Sequence, residues 1–266
     1  MIPVEVTQGD GPIVIGLPHT GTHVDAGIGV LLNRNGRKLA DTDWHIERLY
    51  SGLRDDLTVV RATFHRYVID ANRDPAGQTL YPGQNTTGLV PATDFDGAAI
   101  WDRPITEVET QQRVARFHAP YHAALQAEME RVRSRHGVAI LFDAHSIRSR
   151  IPFLFDGVLP DLNLGTNDGL SCDPVLSQAV EACLGGASGY TSVLNGRFKG
   201  GWTTRHYGRP QEDWHALQLE IAQSAYLAAE APPWRYDTDK ATRLRIVLAR
   251  CLNAINDMAT TLKVKR

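Results

Sequence analysis

The sequence predicts an α/β fold, because short runs of strand character alternate with stretches of helical periodicity. Three observations carry this expectation. Residues 138–149 (VAILFDAHSIRS) begin with an apolar run dense enough to be a strand buried on both faces in the middle of a sheet. Residues 216–221 (ALQLEI) alternate, with Leu217, Leu219 and Ile221 on one side and Gln218 and Glu220 on the other. Residues 238–258 place Leu244, Val247, Leu248, Cys251, Leu252, Ile255 and Met258 along one face of an amphipathic helix.

In chain order, a short lead-in precedes a strand at 13–17 (IVIGL), which stops at Pro18, His19, Thr20 and Gly21. His19 and His23 have helical spacing, but Pro18 and Gly21 argue against a helix there. Residues 41–50 (DTDWHIERLY) read as a helix, with Asp43 near its start as cap or metal ligand. Residues 57–64 are rich in β-branched side chains and read as a second strand. From 76 to 102 the composition turns to Gly, Pro, Thr, Asn and Asp, the signature of a long loop, for which a lid or binding loop and a disordered stretch are the two readings.

Thr106 and Glu109 form a capping-box pattern that opens a surface helix running to Arg135, and Pro120 should kink or divide it. His118 and His122 share one face of that helix and read as surface residues. The central strand follows the helix-stopping pair His136 and Gly137. Residues 151–158 suggest a short hairpin arm, and 161–172 a strand running into a turn. Asp173 and Pro174 start a helix that ends at Gly185 and Gly186. A short strand at 190–194 leads into a glycine-rich, basic stretch at 195–209.

No internal repeat or linker divides the 266 residues, which favours one domain over 1–266. A net charge of -2 gives no electrostatic reason to expect nucleic acid or an anionic membrane, so a small molecule is the expected partner. Cys172, Cys183 and Cys251 are widely spaced with no CxxC, which supports neither a disulfide framework nor a thiolate zinc site and fits a reducing cytoplasm. The amino terminus lacks a basic region followed by an apolar stretch, and no segment is apolar enough to span a bilayer; the expectation is a cytosolic protein. No stretch specifies an oligomeric state.

Ligands of open α/β sheets bind at the carboxyl ends of strands. His19, Asp43, His145 and Glu220 fall in polar clusters of that kind. Two neutral imidazoles and one carboxylate make a three-ligand catalytic zinc site, and a further carboxylate supplies a general base. For Asp143 and His145 a turn cap and a satisfied interior histidine are the alternative. Neither an HExxH, a GxSxG, a Walker A nor a GxGxxG pattern competes with this reading. Arg73, Arg148, Lys199 and Arg205 supply fixed positive charge in Gly- or Pro-flanked loops, suited to a dicarboxylate, with Arg148 and Lys199 read as solvated.

The ordered series LPHTGTH, DTDWHIERLY, YVIDANRDP, LFDAHSIRSR, LNLGTNDGLSC, NGRFKGGWTTRHYG and HALQLEIAQSAYL resembles the N-formylglutamate deformylase (N-formylglutamate amidohydrolase) family from about residue 12 to 226. That family is related to zinc carboxypeptidases and aspartoacylases. The resemblance implies a mixed, largely parallel sheet flanked by helices, of the zinc-carboxypeptidase-like (phosphorylase/hydrolase-like) kind. It implies Zn2+, with other divalent transition metals able to replace it, and hydrolysis of N-formyl-L-glutamate to formate and L-glutamate in histidine degradation. By the same resemblance His19 and His145 are metal ligands, Glu220 is the catalytic carboxylate, and Asn72 with Arg73 binds a substrate carboxylate. Thr22 stands where carboxypeptidase-like enzymes carry a glutamate ligand, so the third ligand is assigned to Asp43, with Asp41 second. Arg205 is matched to a second anion clamp. The alternatives are a deacylase of another N-acyl amino acid and a non-catalytic carboxylate-binding module.

Overall fold

Short runs of β-branched and aliphatic residues form the sheet, and longer periodic runs cover it. The computed structural model describes residues 1–78 and 85–264. The elements are β1 (Val4–Thr7), β2 (Ile13–Leu17), α1 (Ala26–Gly29), α2 (Ile46–Tyr50), β3 (Thr58–Ala62), α3 (Glu107–Arg113), α4 (Ala119–His136), β4 (Ala139–Ile147), β5 (Leu162–Gly165), α5 (Pro174–Gly185), β6 (Ser192–Leu194), α6 (Trp202–Tyr207), β7 (Trp214–Ala222) and α7 (Thr238–Val264). The sheet has the order β1-β3-β2-β4-β7-β5-β6. Pairs β3/β2, β2/β4, β4/β7 and β5/β6 are parallel, and β1/β3 and β7/β5 antiparallel, so the sheet is mixed and largely parallel, flanked by helices.

Each face of the sheet is covered by different helices. Ile15, Phe142, Leu217, Leu219 and Ile221 pack against α2, α5 and α7, whereas Val14, Val60, Leu141 and Ala216 pack against Phe117, Tyr121, Leu125, Met129 and Val132 of the long helical arm. Every residue of β4 and β7 is buried. Full burial of each aliphatic or aromatic side chain is worth about 1.5–3 kcal/mol, which fixes these two strands at the centre of the core. Their register sets Asp143 beside Gln218 and His145 beside Glu220 on the face that α4 covers.

Most departures from the sequence reading involve short or weakly apolar elements. The lead-in contains β1, an edge strand whose Glu5 pairs with Arg61 of β3 and whose residues are mostly exposed, so it carries little apolar signal. The helix expected over 41–50 starts only at Ile46, because His45 takes a left-handed conformation (φ 62°) and Asp41, Thr42 and Asp43 remain in the preceding turn. Residues 151–158 form turns rather than a hairpin arm, with Leu154 and Phe155 N–H groups both donating to Ile151 O. The basic stretch 195–209 contains α6. The 76–102 segment contains no helix or longer strand among its described residues; residues 79–84 of it lie outside them. Pro120 stands at the second residue of α4, directly after a π turn over Val114–His118 that separates α3 from α4 and accommodates a residue with no N–H to return to the preceding turn.

His215 on β7 gives the fold a pH signature. Its Nδ1 accepts from Asp173 N at 3.1 Å, and burial pushes its pKa down to about 4. Above about pH 6.5 the imidazole is neutral folded or unfolded. As pH falls toward 4 the unfolded chain takes the proton first, so stability drops by about 1.4 kcal/mol per unit, up to roughly 3 kcal/mol. His215→Asn keeps an acceptor for the Asp173 N–H and removes the titration. Urea unfolding at pH 7 and pH 4.5 is expected to show a smaller loss of stability in the variant, and equal losses would contradict this.

Candidate active site

His19 follows the end of β2, where Gly21 is required by close backbone approach: a Cβ there would lie 2.4 Å from Phe64 O. Asp43 is tied to the same turn, its N–H donating to His19 O at 3.1 Å. His145 arrives on β4. One Asp43 oxygen, Oδ2, lies 3.7 Å from His19 Nδ1 and 3.2 Å from His145 Nδ1. A ligand atom from each of these three buried side chains lies within 4.8 Å of the others, an arrangement that can hold a metal ion. His19 Nδ1 and Asp43 Oδ1 are buried without a hydrogen-bond partner among the described residues. Leaving such groups unsatisfied costs about 1–3 kcal/mol each, and a cation between them removes that cost. Two imidazole nitrogens and a carboxylate suit a divalent transition metal.

The outer nitrogens of both imidazoles meet carboxylates. His19 Nε2 is 2.6 Å from Asp70 Oδ1, a hydrogen bond that orients the ring and turns Nδ1 inward, while His145 Nε2 lies 3.1 Å from Asp143 Oδ1 and within reach of the Asn72 amide. Arg66 Nη2 donates to Asp70 Oδ2 at 2.6 Å. Burial opposes ionisation of Asp70, but Arg66 and His19 outweigh it and hold the carboxyl well below the usual range. Burial also opposes protonation of His145, yet the Asp143 and Asp43 carboxylates raise its pKa well above the ordinary value. The local field therefore favours positive charge at that point. Asp41 stands outside this group: its Oδ2 accepts from Tyr67 Oη at 2.8 Å and Phe95 N at 2.9 Å, and burial pushes its pKa up to about 7.

Glu220 is buried beside His145, and burial pushes its carboxyl up to about 8. Gln218 Nε2 donates to Glu220 Oε2 at 3.3 Å, while Gln218 Oε1 accepts from Gly201 N at 2.7 Å. Asn72 is also buried; its Nδ2 is 3.0 Å from His145 Nε2 and its Oδ1 accepts from Thr203 N at 2.9 Å. Gly201 makes room for it, since a Cβ there would fall 2.3 Å from Asn72 Nδ2.

These side chains border one cavity, whose wall includes His19, Asn72, Arg73, His145 and Glu220 together with Arg66, Arg197, Phe95 and Phe198. Asp43 lies behind the two imidazoles rather than in the wall. Arg73 donates from Nε and Nη2 to Thr87 O and Oγ1. Arg205 sits on α6 with Nε donating to Gly200 O and is not among the lining residues. Arg148 and Lys199 pair with Asp96 and Asp168 near the surface. Thr22 is exposed and His23 pairs with Asp25. His118 is buried and His122 half-buried, which corrects their reading as surface residues: each meets a backbone carbonyl of the 71–73 segment. The sequence reading missed Asp70, Arg66 and Arg197. The run DANRD after Val68 and Ile69 held a signal for Asp70, a polar cluster closing an apolar run; nothing local marks Arg66 or Arg197.

A family model described as N-formylglutamate amidohydrolase matches residues 11–227. The chain is 46% identical over 251 residues, 93% of each chain, to an N-formylglutamate deformylase of Pseudomonas putida. It is 44% identical over 252 residues to one of Pseudomonas aeruginosa, covering 93% of this chain and 94% of that relative. Among solved structures, an N-formylglutamate amidohydrolase from Ralstonia eutropha JMP134 superposes with a TM-score of 0.80 at 30% identity over 100% of both chains. A gene product of Agrobacterium tumefaciens shares the fold, at a TM-score of 0.72 and 19% identity over 96% of each chain.

Asp70 serves both the His19 ring and the buried Arg66, so Asp70→Asn is expected to act twice. Divalent-metal affinity, measured by calorimetry, should fall about 10- to 100-fold. Stability should fall by about 3–5 kcal/mol in urea unfolding, because Arg66 keeps its charge without its partner. Wild-type values in both measurements would count against this arrangement.

Proposed function

The chain belongs to the N-formylglutamate amidohydrolase family, and from that membership we propose that it is a zinc-dependent enzyme hydrolysing N-formyl-L-glutamate to formate and L-glutamate. The observation that supports this reading best is the buried His19, Asp43 and His145 group with Glu220 beside it at the carboxyl end of the sheet. The whole chain, 1–266, acts as one catalytic domain. Its three free cysteines fit a reducing cytoplasm, where we place the enzyme in histidine degradation.

His19, Asp43 and His145 would hold the zinc ion. When bound, zinc supplies a Lewis acid for the formyl oxygen and lowers the pKa of water toward about 7. Glu220 takes the proton from the attacking water and returns it to the departing glutamate amine. Burial raises the proton affinity of the Glu220 carboxyl, and a cation held beside it would favour the ionised form that accepts the water proton. Asn72 and Arg73 bind one substrate carboxylate. For the second, Arg197 is favoured over Arg205, because Arg197 lines the cavity and Arg205 is not among its lining residues. A positively charged clamp at each end of a dicarboxylate places the amide without further contacts to the small formyl group.

Hydrolysis of N-formyl-L-glutamate and N-formylmethionine, read as formate, and of N-acetylglutamate, read as acetate, with and without chelator, tests reaction, acyl group and metal together. N-formyl-L-glutamate is expected to be the best substrate and to lose turnover on chelation; chelator-insensitive turnover would remove zinc from the scheme. Glu220→Gln should retain the metal and lose about 10²–10⁴ in kcat, the ordinary contribution of a general base. Arg197→Ala should raise KM for N-formyl-L-glutamate by about tenfold or more, the loss of roughly 1.4 kcal/mol, and leave N-formylmethionine unchanged. The same result from Arg205→Ala would reverse the assignment.

A further inference from the structure

His118 closes the π turn and His122 stands one turn further along the arm, in α4, with ring centroids 4.4 Å apart. His118 Nε2 is 2.9 Å from Arg73 O and His122 Nε2 is 2.8 Å from Ala71 O. A carbonyl oxygen only accepts, so both rings carry their proton on Nε2 and donate it. Burial lowers the pKa of each, that of His122 to about 3, and so keeps them neutral. Trp202 covers the pair, with centroids 5.7 Å from His118 and 4.8 Å from His122, and Tyr207 Oη lies 3.1 Å from His122 Nδ1.

The two carbonyls bracket Asn72. That segment belongs to neither a helix nor a strand, so its carbonyls have no ladder to satisfy them. On its other side Asn72 turns its amide to His145 and Thr203, while Arg73 faces the cavity wall. We propose that His118 and His122 form a two-point clamp that positions Asn72 and Arg73 for the substrate carboxylate. The proposal rests on the reading of those two residues as the carboxylate pair. Neither imidazole is among the residues lining the cavity, so they act through the peptide between them as positioning residues. A helix is a stiffer support than a loop, and a site held from a helix keeps its geometry more closely.

The test compares His118→Ala/His122→Ala with His118→Gln/His122→Gln, whose amide nitrogen reaches the place of the imidazole Nε2 and donates. The first readout, independent of activity, is hydrogen exchange at the Asn72 and Arg73 amides. Exchange is expected to accelerate at least about tenfold in the alanine variant, as local opening becomes cheaper, and to return toward wild type in the glutamine variant. The second is kcat and KM of the zinc-loaded enzyme for N-formyl-L-glutamate. The alanine variant is expected to lose about 10- to 100-fold in kcat/KM, mainly through KM, the scale set by misplacing a substrate-holding group. In an Asn72→Ala/Arg73→Ala background the same histidine changes should cost less than about twofold, because groups acting as one unit are not additive. If the double alanine variant does not fold, His118→Ala alone carries the comparison.

Unchanged exchange, fully additive losses, or failure of glutamine to restore protection would overturn the clamp. Failure of the wild-type enzyme to release formate would instead overturn the proposed function, with the exchange comparison still deciding the clamp.

Discussion

The chain of charge from Arg66 through Asp70, His19 and Asp43 to His145 and Asp143 is the constraint on which the site depends. Each buried ion costs several kcal/mol to remove from water, and only close opposite charge and hydrogen bonds offset that cost. Those partners come from four separate parts of the sequence, so none can be satisfied before the sheet is assembled. The apolar faces of β4 and β7 supply the driving force, and the polar residues at their carboxyl ends use part of it. Asp143 and Gln218, one register step below His145 and Glu220, show how this works: each is held by Thr204 or Gly201 at the segment that also seats Asn72.

The same logic separates carboxylates that look alike in the sequence. Asp41 and Asp43 are two residues apart and both buried, but Asp41 spends an oxygen on Tyr67 and on the Phe95 amide, whereas Asp43 turns one to both imidazoles. Sequence spacing could rank them only by resemblance. What decides between them is the left-handed turn at His45, which delays α2 and leaves Asp43 free to reach across to β4.

Elements with a strong apolar period were legible from sequence: β2, β4, β7, α5 and α7 appear close to where their patterns place them. Those held by tertiary contacts alone were not. β1 is an exposed edge, α6 is a short turn in a glycine-rich stretch, and the hairpin inferred at 151–158 is a set of turns whose Ile151 packs with Phe95 and Leu159 instead. At the site, His19, Asp43, His145, Asn72, Arg73 and Glu220 could all be named beforehand, since they close apolar runs or sit in quoted motifs. Arg66 and Arg197 could not, because an arginine in a loop acquires meaning only from what surrounds it. His118 and His122 were misjudged for a related reason: their helical spacing was plain, but burial came from a loop some fifty residues earlier in the chain.

The histidine pair shows how a segment without helix or strand is held at such a site. The 71–73 segment lies between the strand end carrying His145 and the arm carrying the histidine pair. From the sheet side, the Asn72 amide fixes its position against β4 and α6. From the arm side, two neutral donors fix the backbone without bringing further charge near Asp70 or His145. Lysine or arginine there would satisfy the same carbonyls, but a cation beside this cluster would compete with Arg66 for Asp70 and repel positive charge at the imidazoles. A neutral imidazole donates a hydrogen bond and leaves the field of the site unchanged, which is the physical reason for histidine at both positions.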